Sequence, residues 1–303
     1  MTDDKTTRKT GYVAIVGKPN VGKSTLMNAL LKQKISIVTR KPQTTRQRVL
    51  GILSDDASQI IFLDTPGLLK PKYLLHERML QFADRALKDA DVILVITEVG
   101  DATEIPLQIK ERVLEKYSGK PIFLVINKVD TIDRNAVLPL IDSFSKLNVF
   151  KEIVPLSALK EENLDSLLSA IIRELPVHEA LYPTDIVSEQ PERFFVAELI
   201  REKIFEQYQE EIPYSAAVEI REFKEREAGK TYIAADIIVE RESQKGILIG
   251  KKGEALKSIG QKARADIELF LDRQVFLELF VKVGDEWRKD DGWLKRLGYG
   301  IDQ

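Results

Sequence analysis

Gly17-Lys18-Pro19-Asn20-Val21-Gly22-Lys23-Ser24 decides how the rest of this chain is read. The run has the form G-x-x-x-x-G-K-S. It follows an apolar, strand-like stretch, Tyr12-Val13-Ala14-Ile15-Val16. It leads into Thr25-Leu26-Met27-Asn28-Ala29-Leu30-Leu31, which has a helical pattern. Strand, glycine-bearing loop and helix in that order are the context a phosphate-binding loop requires. The backbone N–H groups of such a loop, with the helix N-terminus, cradle an anion. Lys23 can then reach the outer phosphates and Ser24 can ligate Mg²⁺. Thr25 is counted with the phosphate-binding residues.

The nucleotide is decided downstream. Pro121-Ile122-Phe123-Leu124-Val125-Ile126 reads as a buried strand, and Asn127-Lys128-Val129-Asp130 follows it. N-K-x-D at a strand end is the guanine-reading element of P-loop GTPases. A carboxylate at Asp130 accepts from the N1–H and exocyclic N2–H of guanine. Adenine lacks that donor pair and would leave the carboxylate desolvated and unpaired. Asn127 is expected to tie this loop to the first one, and the Lys128 stem to cover the base.

Asp64-Thr65-Pro66-Gly67 ends another apolar run, Gln59-Ile60-Ile61-Phe62-Leu63. Asp64 is expected to support Mg²⁺ through water, and the Gly67 N–H to sense the γ-phosphate. Ser157-Ala158 follows Ile153-Val154-Pro155-Leu156, which brings the Ala158 N–H toward guanine O6. The last two signals are weak alone. Four of them in this order, each ending a strand-like run, make coincidence remote.

The 303 residues suffice for two domains of ordinary size. No stretch approaches the length of apolar sequence a membrane-spanning helix needs. The first ten residues lack the apolar core of a signal peptide. With no cysteine, disulfides, thiol nucleophiles and thiolate metal sites are excluded. The only two histidines, His76 and His178, are far apart and are expected at surface or linker positions. A cytoplasmic monomer is the expectation, with peripheral association at the inner face of the cell membrane kept open.

Strand-like runs at 11–16, 49–53, 59–63, 91–97, 121–126 and 152–156 alternate with helical patterns at 23–32, 74–88, 104–117, 134–147 and 163–174. Such alternation argues a mostly parallel sheet with helices on both faces and ligands at the C-terminal strand ends. Pro176, Pro183 and Pro191 then interrupt the pattern. The expected organisation is an α/β P-loop GTPase domain over 1–180, a linker over 181–192 and an α+β domain over 193–303.

The second domain reads as a helix from Phe194, strands over Tyr214–Glu222 and Thr231–Glu240, a helical segment, a loop, a long helix to about Leu271, and a strand over Gln274–Val283. The loop is Gly250-Lys251-Lys252-Gly253, behind the apolar lead-in Ile247-Leu248-Ile249. In a KH module a G-x-x-G loop clamps the backbone of about four nucleotides. The glycines admit the phosphates and the variable positions supply charge. Residues 181–303 carry 20 Lys+Arg against 25 Asp+Glu. Within that acidic half, 244–264 holds Lys245, Lys251, Lys252, Lys257, Lys262 and Arg264 with only Glu254 opposing. A basic patch in an acidic surround suits a defined anionic ligand. Lys245, Gly250, Lys251, Lys252, Gly253 and Lys257 are the candidate RNA-binding residues. The order of elements is that of a type II KH domain.

With both halves read, the sequence resembles the Era family of bacterial GTPases over nearly its whole length. Related GTPases share Gly17–Ser24, Gln43-Thr44-Thr45-Arg46, Asp64–Gly67 and Asn127–Asp130. The specific part is their pairing with a KH domain, together with Leu199-Ile200-Arg201-Glu202-Lys203 and Leu297-Gly298-Tyr299. The resemblance implies Mg²⁺-dependent hydrolysis of GTP to GDP and phosphate. It also implies binding to 16S rRNA near its 3′ end, and a role in assembly and maturation of the 30S subunit. It gives Thr45 as a second Mg²⁺ ligand beside Ser24, with Thr44 the alternative, and Asp64 in support. Asn20 resembles the P-loop asparagine that coordinates K⁺ in several related GTPases. Lys23, Thr45, Gly67 and Asn20 are thus the expected catalytic set.

Two positions depart from common patterns. Leu68 stands where Ras-type GTPases have a water-positioning Gln, so slow intrinsic hydrolysis is expected. Glu161 stands where the family often has Gly. An adaptor whose second domain binds protein or membrane is the competing reading, and the basic G-x-x-G loop argues against it. A tRNA-modifying GTPase is disfavoured by the absence of a C-terminal cysteine.

Overall fold

Runs of β-branched and aliphatic residues alternate with amphipathic helices through the first two thirds of the chain, and they fold as that alternation dictates. The computed structural model describes residues 8–100, 105–225 and 229–300. Its contacts divide the chain into two units. One comprises Met1–Ser36, Thr45–Lys70 and Met79–Glu189; the other comprises Ile37–Thr44, Pro71–Arg78 and Gln190–Gln303.

The first unit is built on β1 (Arg8–Gly17), β2 (Val49–Ser54), β3 (Ser58–Asp64), β4 (Val92–Glu98), β5 (Ile122–Asn127), β6 (Glu152–Pro155) and β7 (Val177–His178). Its helices are α1 (Lys23–Leu31), most of α2 (Leu74–Asp89), α3 (Leu107–Ile109), α4 (Val137–Ser145) and α5 (Leu164–Glu174). The sheet order is β2-β3-β1-β4-β5-β6, with β7 paired to β1. Pairing is parallel except for β2 on β3 and β7 on β1. On one face Ala14, Val16, Ile93, Val95, Leu124 and Ile126 pack with Leu80, Ala83 and Leu87 of α2 and Phe144 of α4. Val13 and Ile15, which alternate with them, are equally buried. Parallel pairing puts the ends of β1, β3, β5 and β6 along one edge of the sheet. The four sequence motifs all follow those strands.

The second unit contains α6 (Glu192–Gln207), α7 (Ile212–Ser215), β8 (Ala217–Lys224), β9 (Thr231–Val239), α8 (Glu242–Ile249), α9 (Glu254–Leu271), β10 (Val275–Val283) and α10 (Asp291–Leu294). The sheet order is β10-β9-β8. β10 runs parallel to β9, with Val275 opposite Thr231, and β8 runs antiparallel with a bulge between Ile220 and Glu222. The parallel pair is joined through α8 and α9, so the G-x-x-G loop is the corner of a crossover connection. Val196, Ile200 and Ile204 of α6, Ile259, Ala263 and Ile267 of α9, and Ile233, Ala235 and Ile237 of β9 form the core. Trp287 is fully buried and donates from Nε1 to the Ser215 carbonyl at 2.8 Å.

Three details differ from the sequence reading. Tyr214 lies in α7, not in a strand, because Pro213 presets helical φ at the first turn. The helix expected over 104–117 is α3 followed by one wide turn, Lys110–Leu114; residue 104 lies outside the described residues, as do 226–228 of the β8–β9 connection. His76 is not at the surface. It is 3 % exposed, takes a backbone N–H from Lys72 at 3.3 Å and lies 3.0 Å from Gln43 Oε1. The neutral ring therefore donates from Nε2. His178 is exposed, as expected.

Candidate active site and nucleic-acid groove

Gly22 closes the first loop at φ 100 and forms the N-cap of α1. A side chain there would overlap Asn127 Nδ2, so only glycine fits. No side chain caps α1 and no acid stands in its first turn. Its leading N–H groups are thus left for an anion. Lys23 is buried and donates to the carbonyls of Lys18 at 2.7 Å and Gly17 at 3.3 Å. Burial lowers its pKa to about 8, against the pull of Asp64. Asp64 is fully buried, and burial raises its pKa against the Ser24 hydrogen bond, the Lys23 charge and the hydroxyls of Ser36 and Thr45. Each group is held where its charge is disfavoured. An anion beside the lysine and a cation beside the carboxylate would restore both.

Hydroxyls converge on that carboxylate. Ser24 Oγ donates to Asp64 Oδ2 at 2.6 Å, Ser36 Oγ at 3.2 Å and Thr45 Oγ1 at 3.4 Å. Ser24 Oγ and Thr45 Oγ1 are 2.8 Å apart. Asp64 Oδ1 is buried with no hydrogen-bond partner. Among the described residues no three His, Cys, Asp or Glu side chains gather into a metal-binding group. Hydroxyls and a carboxylate, completed by phosphate and water, are what Mg²⁺ takes, so the donor set fits that ion. The Thr44 hydroxyl is engaged elsewhere, with the Lys41 carbonyl at 2.8 Å and Thr39 Oγ1 at 2.7 Å.

The loop after β3 abuts the first loop. Leu68 N–H donates to the Gly17 carbonyl at 3.1 Å, and Thr65 Oγ1 to the Ile15 carbonyl at 2.8 Å. Leu68 itself is buried in the core. On the base side, Asn127 does what was expected of it. Its Nδ2 donates to the Val21 carbonyl at 2.8 Å, and its Oδ1 accepts from Ala158 N–H at 3.0 Å. One amide therefore joins three of the four loops. Lys128 stands at φ 66 and donates to the Asn20 carbonyl at 3.0 Å while pairing with Glu98. Asp130 is exposed.

In the second unit, Gly250, Lys252 and Gly253 all take positive φ, at 70, 51 and 81°. Lys251, Lys252 and Lys257 are exposed; Lys245 is half-buried and pairs with Glu242 at 3.6 Å. Beside the loop runs a groove of about 370 Å³. Leu256 and Gly260 of α9 and Leu277 and Leu279 of β10 give it an apolar floor, with Lys257, Gln261 and Arg264 on its rim. A width set by a glycine, apolar contact for bases and cations for phosphates suit an unstacked single strand.

The sequence profile of the 50S ribosome-binding GTPase family matches residues 12–128, and that of the KH domain matches residues 211–288. GTPase Era of Geobacter metallireducens is 46 % identical over 294 residues, covering 96 % of this chain and 98 % of the relative. The chloroplastic GTPase ERA1 of Zea mays is 46 % identical over 297 residues, covering 96 % of this chain and 71 % of the relative. The chain belongs to the Era family of GTPases. Two solved Era structures superpose with TM-scores of 0.93, covering 97 % of this chain and all of theirs. One is a variant of Aquifex aeolicus Era bound to GDP·AlF4⁻, at 45 % identity. The other is Era with MgGDPNP and nucleotides 1506–1542 of 16S ribosomal RNA, at 46 % identity. This Era-family chain is a GTP hydrolase of P-loop and KH architecture.

Within that family frame, Glu161 resolves its departure from glycine by adopting φ 55 itself. Its neighbour Glu162 bridges back to Ser157. Ser36, Glu98 and the groove floor were not singled out in the sequence. The groove did leave a trace: its lining residues Gly253, Leu256, Gly260 and Arg264 recur at helical spacing, and Leu277 and Leu279 at strand spacing. Ser36 leaves none, because a lone serine before an irregular segment has no pattern. No helix among the described residues is long and apolar enough to cross a membrane.

Proposed function

We propose that this chain binds GTP with Mg²⁺ at the edge of the first unit's sheet, and uses its KH groove to hold single-stranded RNA at the 3′ end of 16S rRNA. In doing so it serves assembly and maturation of the 30S subunit. The observation that carries the reading is the Asn127 amide, which joins the phosphate loop to the base-side loops, in a chain that also bears an open basic groove. The rRNA assignment is supported by the 16S fragment held in the related Era complex.

The geometry supports the following roles. The α1 N-terminus and the loop N–H groups receive the phosphates, and Lys23 moves from carbonyl partners to phosphate oxygens. Ser24 and Thr45 would hold Mg²⁺, with Asp64 supporting it. Mg²⁺ neutralises charge on the β- and γ-phosphates. The Gly67 loop, braced on Gly17 through the Leu68 N–H, reports the γ-phosphate. Leu68 offers no hydrogen bond to the attacking water, so turnover is slow without help. K⁺ beside Asn20 is part of this reading, and hydrolysis in matched KCl and NaCl compares the two ions. A cytoplasmic monomer is part of this reading, and action on a ribosomal substrate is in keeping with it. Fractionation of lysates reads out any attachment to the membrane's inner face.

Asp130→Asn tests the base assignment. The amide donates where the carboxylate accepted, so preference shifts from GTP toward XTP. Equal affinity of the parent for ATP and GTP overturns the guanine reading, and failure to bind a short 3′-end rRNA oligonucleotide overturns the RNA one.

A further inference from the structure

The segment Ile37–Thr44 belongs to the second unit and has no helix or strand. It is nevertheless held at three points along α6. Glu202 Oε1 accepts from the Val38 N–H at 3.0 Å. The Lys41 ammonium donates to the carbonyls of Phe205 and Tyr208, at the C-terminal end of the helix. Arg201 donates from Nη2 to the Thr44 carbonyl, and Glu198 accepts from its Nε at 2.8 Å and from the same Nη2. Arg201 is 1 % exposed and Glu202 2 %. Charges so buried need partners; Glu198 and Lys203 supply the opposite charges, and the backbone of this segment supplies one further hydrogen bond to each.

The segment also braces itself. Lys41 N–H donates to Thr39 Oγ1 at 3.2 Å, and Thr44 Oγ1 to the Lys41 carbonyl at 2.8 Å. Both polar ends of Thr44 are therefore committed. The next residue is Thr45, whose hydroxyl lies 2.8 Å from Ser24 Oγ.

We propose that Arg201 and Lys41 are positioning residues for Thr45. They fix the Thr44 carbonyl and the turn before it, and so set the peptide plane from which the metal-facing hydroxyl extends. The inference rests on reading Thr45 as a Mg²⁺ ligand. An irregular segment loses conformational entropy when the γ-phosphate and Mg²⁺ order it. Holding it beforehand lowers that loss, and does so only for the triphosphate state.

The test uses the full chain with Arg201→Lys, Lys41→Met and Thr45→Ala, each checked by its melting temperature. Single-turnover GTP hydrolysis is titrated with Mg²⁺, and GDP affinity is measured beside it. Arg201→Lys and Lys41→Met are expected to raise the Mg²⁺ half-saturation about five-fold each, the worth of one hydrogen bond, with GDP affinity unchanged. A merely structural role would weaken both nucleotides together, and that result overturns the proposal. If Thr45→Ala shifts the Mg²⁺ curve and neither folded variant does, the positioning role is also overturned. If Thr45→Ala shifts nothing, the ligand assignment fails first and the proposal with it. Should Arg201→Lys not fold, Lys41→Met decides, because Lys41 is only half-buried.

Discussion

Lys23 carries a charge that its buried surroundings do not favour. Its pKa falls from 10.5 to about 8 through burial. Below pH 8 both folded and unfolded chains hold the proton, and the folded one bears it buried. Between pH 8 and 10.5 the unfolded chain binds more protons, so stability rises with pH across that window. The handicap below the window is about 3 kcal/mol. Nucleotide-free Lys23→Met is expected to be more stable at pH 7 by about 1–3 kcal/mol, less where the Lys18 and Gly17 carbonyls lose their donor. It should lack the pH slope and hydrolyse no GTP. Urea melts at pH 7 and 10 check this, and parallel pH dependences would refute it. Glu161 is the second residue under tension. A left-handed φ of 55° strains a side chain by about 1 kcal/mol. Glu161→Gly is expected to gain about 0.5 kcal/mol after the entropy of the unfolded chain is counted. The urea midpoint should move up without a change in slope.

At the scale of elements, the corner between α8 and α9 is shaped before any ligand arrives. Three of its four residues sit at positive φ, and the two glycines meet that need without strain. A Cβ on Gly250 would lie 2.6 Å from the Ala255 Cβ, which keeps the loop tight against the start of α9. The leading N–H groups of α9 lack a side-chain cap, so backbone and lysines present one cationic edge. Lys251→Asp with Lys252→Asp reverses that edge without touching the core, since both are exposed. Affinity for a single-stranded rRNA oligonucleotide is expected to fall at least about ten-fold at low salt, and the salt slope to flatten by about 1.4. Anisotropy across a KCl series measures both. Unchanged affinity and slope would remove the loop from the binding surface.

For the molecule as a whole, the two units divide labour along lines that residue number does not follow. Ile37–Thr44 and Pro71–Arg78 are contacted as parts of the second unit, although they flank the phosphate-site motifs in sequence. A chain ending at Glu189 keeps all four nucleotide loops but loses α6, and with it the partners of Val38, Lys41 and Thr44. Such a fragment is expected to bind GDP like the full chain and to need about twenty-five-fold more Mg²⁺ for GTP hydrolysis, two hydrogen bonds' worth. Calorimetry with GDP and a Mg²⁺ titration of hydrolysis separate the two properties. Identical Mg²⁺ curves for fragment and full chain would show that α6 contributes nothing to the site.

The sequence by itself carried the proposed chemistry of both sites. The proposed phosphate loop, guanine-reading tetrapeptide and G-x-x-G corner are each contiguous, because a few successive backbone N–H groups and one or two side chains suffice for such binding. Spacing therefore survives in the sequence, and so does the alternation of strands and helices that lines those loops up on one edge. What the tertiary structure alone decided are the contacts between residues with no pattern of their own. Ser36 meets Asp64 across 28 positions, Asn127 meets Val21 across 106 and Val38 meets Glu202 across 164. His76 is buried for the same kind of reason, against Gln43 from another part of the chain. Such partners are brought together by sheet order and crossover connections, and any small polar residue or backbone amide can fill the role once the fold has placed it.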